Sequence, residues 1–239
     1  MPDWSRLARD LSDVLHLSQP PIAITFSDRP PPGVPAFDEP MPDPLADGRT
    51  GRVPAGCVFW IKAAERSFTT EAADHANCSV GSFTHGFVDA ADIAGKGDVA
   101  ALVETGWAPP GILDVLPRIR TRPAHVSYGP LADAGTDPDV VLLRLNPKQA
   151  MVLSDAVPGL RFEGKPQCHI IPMAKEDGQV AVSVGCMLSR VRTGLPSTDM
   201  TAAIPAGRLA EVIESLDRTN RADSAVAAYA AEDAARFGP

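Results

Sequence analysis

Cysteine and aromatic residues are both scarce in this chain. It has 239 residues, of which four are cysteines and 5% are aromatic. Four cysteines are too few for the disulfide scaffold that holds small secreted domains together. In a reducing compartment, widely spaced cysteines act as ligands, as catalysts or as packing residues. The sequence therefore directs attention to the chemistry of free thiols.

Long apolar runs are also missing. No run approaches the roughly 20 apolar residues that a membrane-spanning helix needs. The first residues, "MPDWSRLARDLSDVLHL", have polar side chains throughout and no small-residue cleavage site, unlike a secretory signal. We therefore expect a cytoplasmic protein that has no membrane partner.

Clusters of positive charge are absent as well, and the formal net charge is −8. This balance argues against a nucleic-acid partner, whose binding surface would be rich in Lys and Arg. The content of 44% hydrophobic and 22% charged residues is typical of a globular protein with a substantial core. We expect a single domain over residues 1–239, with an irregular proline-rich loop over 30–54 and a C-terminal helix or tail over 217–239.

Alternating strand and helix patterns predict the fold class. An apolar stripe at helical spacing covers residues 4–17, and short β-rich runs cover 20–26 and 137–145. Asn146 followed by Pro147 is typical of a helix start. The segment "QVAVSVGC" has the pattern of another strand. We therefore predict an α/β protein with mixed sheets flanked by helices.

Two segments that each begin and end near a cysteine are similar in pattern. "CVFWIKAAERSFTTEAADHANCSVG" has Cys57 and Cys78, and "CHIIPMAKEDGQVAVSVGCMLSR" has Cys168 and Cys186. In each, apolar residues follow the first cysteine, and an Ala followed closely by Glu precedes a β-like stretch. The pattern favours an internal repeat.

Such a repeat would divide the chain into two similar halves, 1–125 and 126–216, related by a pseudo-twofold axis. Each half would then present one pair of cysteines where the halves meet. Four converging thiolates is the number that an iron–sulfur cluster or a tetrahedral zinc ion requires.

Several segments resemble a known family in sequence and order. They are "LSQPPIAITF", "CVFWIKAAE", "DHANCSVG", "DVVLLRLNPKQAM", "VSVGCMLSR" and "IPAGRLAEVIESL". The chain is similar to the prokaryotic family called domain of unknown function 169, over nearly its whole length. The resemblance implies that all four cysteines match cysteine positions of the family and act together. It brings no activity, and "CSVG" departs from the "CPGG" of many relatives.

We therefore predict a metalloprotein whose ligands are Cys57, Cys78, Cys168 and Cys186. The predicted cofactor is a [4Fe–4S] cluster, with zinc as the alternative, because soft thiolate ligands favour both. The cluster would transfer electrons to a redox partner, or would bind and activate a small-molecule substrate at an open iron. The compact CxxC spacing of ferredoxins and zinc ribbons is absent.

Other polar residues are candidates to complete this site. His75 and His169 could act as ligands or support the ligands, and Arg190 or Arg192 could orient an anionic substrate or offset the charge of a thiolate cluster.

Two other classes remain open. In a thiol enzyme without metal, Cys78 would be the nucleophile and His75 its base, three positions away along the chain. In a structural or interaction protein, the cysteines would only pack, and the Ala-rich C-terminal helix would meet a partner. A homodimer is compatible with each of these interpretations.

Overall fold

The most apolar predicted strand lies in the middle of a seven-stranded sheet. The computed structural model describes residues 2–39 and 56–238, and the strand order across its sheet is β2-β3-β1-β4-β7-β6-β5. The strands are β1 (Ile22–Ser27), β2 (Phe68–Glu71), β3 (His125–Pro130), β4 (Val140–Leu145), β5 (Arg161–Glu163), β6 (Ala181–Ser183) and β7 (Met200–Pro205). β5 pairs with β6 in parallel, and the other neighbours pair antiparallel. The prediction of an α/β protein with a mixed sheet is confirmed.

Helices cover both faces of this sheet. They are α1 (Trp4–Leu15), α2 (Gly56–Lys62), α3 (Ser79–Thr84), α4 (Ala90–Ile93), α5 (Gly97–Glu104), α6 (Ile112–Val115), α7 (Pro147–Ala156), α8 (Ile170–Asp177), α9 (Met187–Thr193) and α10 (Leu209–Phe237). Among the described residues, no helix combines the length and the apolar character needed to cross a membrane.

Alternation along the strands separates two hydrophobic clusters, one on each face. In β4, Val140 and Leu142 point to one face, whereas Val141 and Leu143 point to the other. The front cluster contains residues of α2, α3, α5 and α8, together with two cysteines. The back cluster contains residues of α1, α7 and α10. Each face of the sheet is therefore buried by its own layer of helices.

Helix α7 begins where the sequence predicted a helix start, at Asn146 followed by Pro147. The Asn146 side chain accepts a hydrogen bond from the backbone N–H of Gln149, and the Gln149 side chain accepts one from the backbone N–H of Asn146. This reciprocal pair satisfies two donors that the helix start would otherwise leave free. Pro147 occupies the first turn, where no donor is needed.

One predicted strand differs from the structure, and one helix was not predicted. The strand expected over 179–186 is shorter and ends at Ser183. The segment after Cys168 forms helix α8, in which Pro172 lies in the first turn and is tolerated there.

Two predictions about organisation stay predictions. The proline-rich loop expected over 30–54 lies outside the described residues from 40 onward, and its first part pairs once with β2 through Ala36 and Thr69. Strands β1 to β3 occupy one side of the sheet and β4 to β7 the other. Because β3 lies almost wholly in the second predicted half, this division of the sheet does not follow the predicted boundary between 125 and 126, and a twofold relation stays a prediction.

Candidate functional site

An apolar cavity lies under the helices of the front face. Its volume is about 110 Å³. Residues from α2, α3, α5, α6 and α9 and from the segment before α8 form its wall. They are Cys57, Cys78, Val80, Val99, Leu102, Trp107, Ala108, Pro109, Ile112, Leu116, Lys165, Pro166, Gln167, Cys168, Cys186, Ser189 and Thr193.

All four cysteines of the chain contribute to this wall, although they come from distant parts of the sequence. Cys57 belongs to α2, and Cys168 lies in a short turn that leads into α8. Cys78 and Cys186 each immediately precede a helix, α3 and α9. All four are free thiols. The fold therefore places the predicted residues around one cavity.

Cys57 is held by a buried polar network. The Gln167 amide nitrogen donates hydrogen bonds to Cys57 Sγ at 3.0 Å and to Ser189 Oγ at 2.8 Å. Both amide hydrogens are thereby used, which fixes the orientation of the Gln167 side chain. Its Oε1 atom is buried and has no hydrogen-bond partner among the described residues. The site thus contains one unused hydrogen-bond acceptor.

Burial keeps two of the thiols protonated. Desolvation, together with the nearby thiols of Cys78 and Cys186, raises the pKa of Cys57 to about 12, although hydrogen bonds with Ser189 and Gln167 oppose the shift. Burial also raises the pKa of Cys168 well above its ordinary value, and the other three cysteines add to this shift. At neutral pH both side chains are therefore small apolar groups rather than thiolates.

Cys78 is the least buried of the four cysteines. Its Sγ atom accepts a hydrogen bond from the backbone N–H of Gly81 at 3.3 Å, at the start of α3. A Cβ atom at Gly81 would lie only 3.2 Å from this sulfur. The glycine therefore allows the sulfur to approach the backbone closely.

The predicted metal centre is not supported, and the interpretation as an iron–sulfur or zinc metalloprotein is wrong. Within residues 2–39 and 56–238, no three His, Cys, Asp or Glu residues are grouped so that they could hold a metal ion. The four sulfur atoms share the cavity wall with apolar side chains such as Val80 and Val99. They surround a space instead of converging on one point, as ligands of a cluster would.

His75 is positioned by a different partner than the thiol–base hypothesis assumed. Its Nε2 atom lies 2.9 Å from Thr70 Oγ1, and the Thr70 hydroxyl donates to the Val126 carbonyl. Nε2 is therefore the protonated nitrogen, and Nδ1 is buried without a hydrogen-bond partner. Burial lowers the pKa of His75 well below 6.5, and a charge on His85 would lower it further. This environment does not favour His75 as a base for Cys78.

His169 lies outside the cavity wall. Its Nε2 atom is 3.5 Å from Glu163 Oε2, although neither ring nitrogen makes a hydrogen bond within the described chain. Burial lowers the pKa of His169, and the Glu163 carboxylate opposes this shift. A role for His169 at the site stays a prediction.

Arg190 is engaged by the backbone. Its guanidinium donates to the carbonyl groups of Val184, Pro196 and Asp199, and so connects the residues before α9 with the loop that follows it. It does not belong to the cavity wall. The side chain of Arg192 lies outside the described part of the structure. A substrate-binding role for either arginine stays a prediction.

Three residues of the site were not predicted from the sequence. Gln167 directly precedes Cys168, Lys165 lies three positions before it, and Trp107 lies far from every cysteine in the sequence. The Lys165 ammonium lies 4.0 Å from the centre of the Trp107 ring, a cation–π contact. Nearness to Cys168 in the sequence could have indicated Lys165 and Gln167 as site residues, but no sequence signal indicated Trp107.

The fold and the site define a mixed α/β protein with an apolar cavity lined by thiols on one face of its sheet. This chain belongs to the family domain of unknown function 169, described as "Uncharacterised ArCR", whose sequence model matches residues 10–215. The family resemblance seen in the sequence is thereby confirmed. No curated protein matches the chain, and no solved structure matches it.

Proposed function

We propose that this protein binds a small, mainly apolar molecule in the cavity of the front face. The observation that carries this proposal is the cavity itself, a space of about 110 Å³ whose wall is mostly aliphatic, aromatic and thiol groups. An engineered apolar cavity of about 150 Å³ binds benzene, so a single ring or a short branched chain is the matching ligand size. Small-molecule sites are characteristically apolar with a few polar anchors.

Gln167 is the amide of the cavity wall, and it holds the Cys57 thiol and the Ser189 hydroxyl in place beside the space. The neutral thiols of Cys57 and Cys168 add polarisable sulfur, which makes favourable contacts with aromatic rings. Free thiols also fit the cytoplasm as the working compartment.

The test measures binding of benzene and phenol by the rise in unfolding temperature and by titration calorimetry. We expect both probes to stabilise the protein, because each places an apolar ring against the wall. In Ala108→Leu, the larger side chain fills the cavity and abolishes binding. The matched control is Ala206→Leu, an equally buried alanine in the back cluster, which lowers stability but keeps probe binding. Equal binding by the parent and Ala108→Leu, or no binding by the parent, would overturn the proposal.

Alkylation of Cys78 locates the bound probe independently. Iodoacetamide reacts with this least buried thiol first, and mass spectrometry follows the rate. Saturating benzene should slow the reaction in the parent and leave it unchanged in Ala108→Leu. A rate that does not respond to benzene in the parent would place the probe elsewhere.

A further inference from the structure

The cavity is apolar almost throughout, but one charged group belongs to its wall. Lys165 is the single charged residue among the described residues that line it. The remaining polar side chains of the wall are hydroxyls, thiols and one amide. An ammonium group at this position is therefore the dominant electrostatic feature of the site.

The position of Lys165 places its charge where the cavity meets solvent. The residue is exposed and yet contributes to the wall, whereas Pro166, Gln167 and Cys168, which follow it, are buried. Its ammonium lies over the Trp107 ring at 4.0 Å from the ring centre. The cation–π contact restrains a long and flexible side chain, so the charge stays near the entrance.

From this arrangement we infer that the ligand is a small aromatic or branched-aliphatic carboxylate. Its apolar body lies among the thiols and aliphatic side chains, and its carboxylate pairs with Lys165 at the entrance. The inference rests on the proposed binding function and specifies the chemical class of the ligand.

The net charge of −8 for the whole chain opposes an anionic ligand only weakly. Charges further away than about 8 Å are largely screened at physiological ionic strength. Among the described residues, Lys165 is the charged residue that lines the cavity, so we expect its ammonium to set the preference of the entrance.

The test compares benzoate with benzamide, which has the same ring and nearly the same shape but no charge. We expect benzoate to bind the parent protein about 1.4- to 5-fold more tightly, the range of a solvent-exposed ion pair. The advantage should shrink as salt is raised, because an exposed ion pair is screened. In Lys165→Met, benzoate should lose this advantage and benzamide should bind as before. The matched control Lys148→Met, on α7 at the back face, should keep the advantage.

The outcomes separate this inference from the function on which it rests. If benzamide and benzene bind but benzoate binds no better, or if Lys165→Met keeps the preference for benzoate, the carboxylate inference is wrong and the binding function stands. If benzene, benzamide and benzoate all fail to bind the parent protein, the carboxylate inference and the proposed binding function are both wrong.

Discussion

The front and back faces of the sheet are each covered by helices, but their interiors differ in chemistry. The back cluster is composed of apolar residues such as Leu143, Leu153 and Leu209, all fully buried. On the front face, buried polar atoms of Trp60, His75, His85, Tyr128 and Gln167 lack hydrogen-bond partners among the described residues. The cavity also lies on this face. The back face is packed by apolar groups alone, whereas the front face combines apolar packing with a cavity and with buried polar atoms whose missing hydrogen bonds cost stability.

Acid should weaken the front face selectively, and this is the largest effect we expect. Burial lowers the pKa of His85 from 6.5 to about 4. As the pH falls below 6.5, His85 binds a proton in the unfolded chain but stays neutral in the folded chain. Stability is therefore complete above pH 6.5 and is lost progressively toward pH 4, by about 3 kcal/mol for this one residue. Urea unfolding at a series of pH values measures the loss.

Substitution of the histidine checks the origin of this loss. His85→Phe keeps a ring beside Phe26 and should flatten the dependence on pH. His16→Gln, an exposed site at the end of α1, should leave it unchanged. A slope that persists in His85→Phe would assign the acid sensitivity to other groups, His75 foremost among them.

A matched pair of valines compares packing on the two faces directly. Val152 on α7 belongs to the back cluster, and Val99 on α5 lines the cavity, with exposures of 7% and 4%. We expect Val152→Ala to cost about 2 kcal/mol, because packed neighbours lose contacts and a void remains. Val99→Ala should cost about 1 kcal/mol, because its side chain already borders empty space.

Denaturant unfolding of the two variants gives both values under the same conditions. Because each substitution replaces valine by alanine within a helix, the change in helix propensity is the same in both. Equal losses would mean that the front face is packed as tightly as the back, and the cavity would then be too small or too transient to hold a ligand.

Local rules predicted much of the fold from the sequence. The apolar run of β4 and the capping pattern at Asn146 depend on neighbours in the chain, so their signals are contained in short segments. Helix α8 was missed because its segment lies between a cysteine and a strand and carries an internal proline. Secondary structure at such positions is decided by tertiary packing, which periodicity alone does not reveal.

The site, like the fold, was predicted only where its residues stand out within short sequence segments. Composition and pattern singled out the four cysteines, and the fold gathers them around one cavity. The inference from number to metal failed because ligation requires converging directions, and side-chain directions are fixed only in the folded chain. Trp107 and Gln167 carry no sequence signal of their own. They become functional candidates only through the cavity that they share with the cysteines.

Removal of the last part of α10 is the change for which we expect the smallest effect on stability. From Ala222 onward this helix extends past the back cluster, and Val226 and Tyr229 are 64% and 70% exposed. Just before this point Asn220 contacts the body of the protein, because its side-chain amide donates a hydrogen bond to the Val14 carbonyl. A chain that ends at Arg221 should therefore lose less than about 0.5 kcal/mol of unfolding free energy, because it loses almost no buried surface. The same chain should bind benzene as the full chain does. A larger loss of stability, or weaker binding, would show that residues 222–239 pack against a second copy of the chain or against the body itself, and gel filtration of the two forms distinguishes these cases.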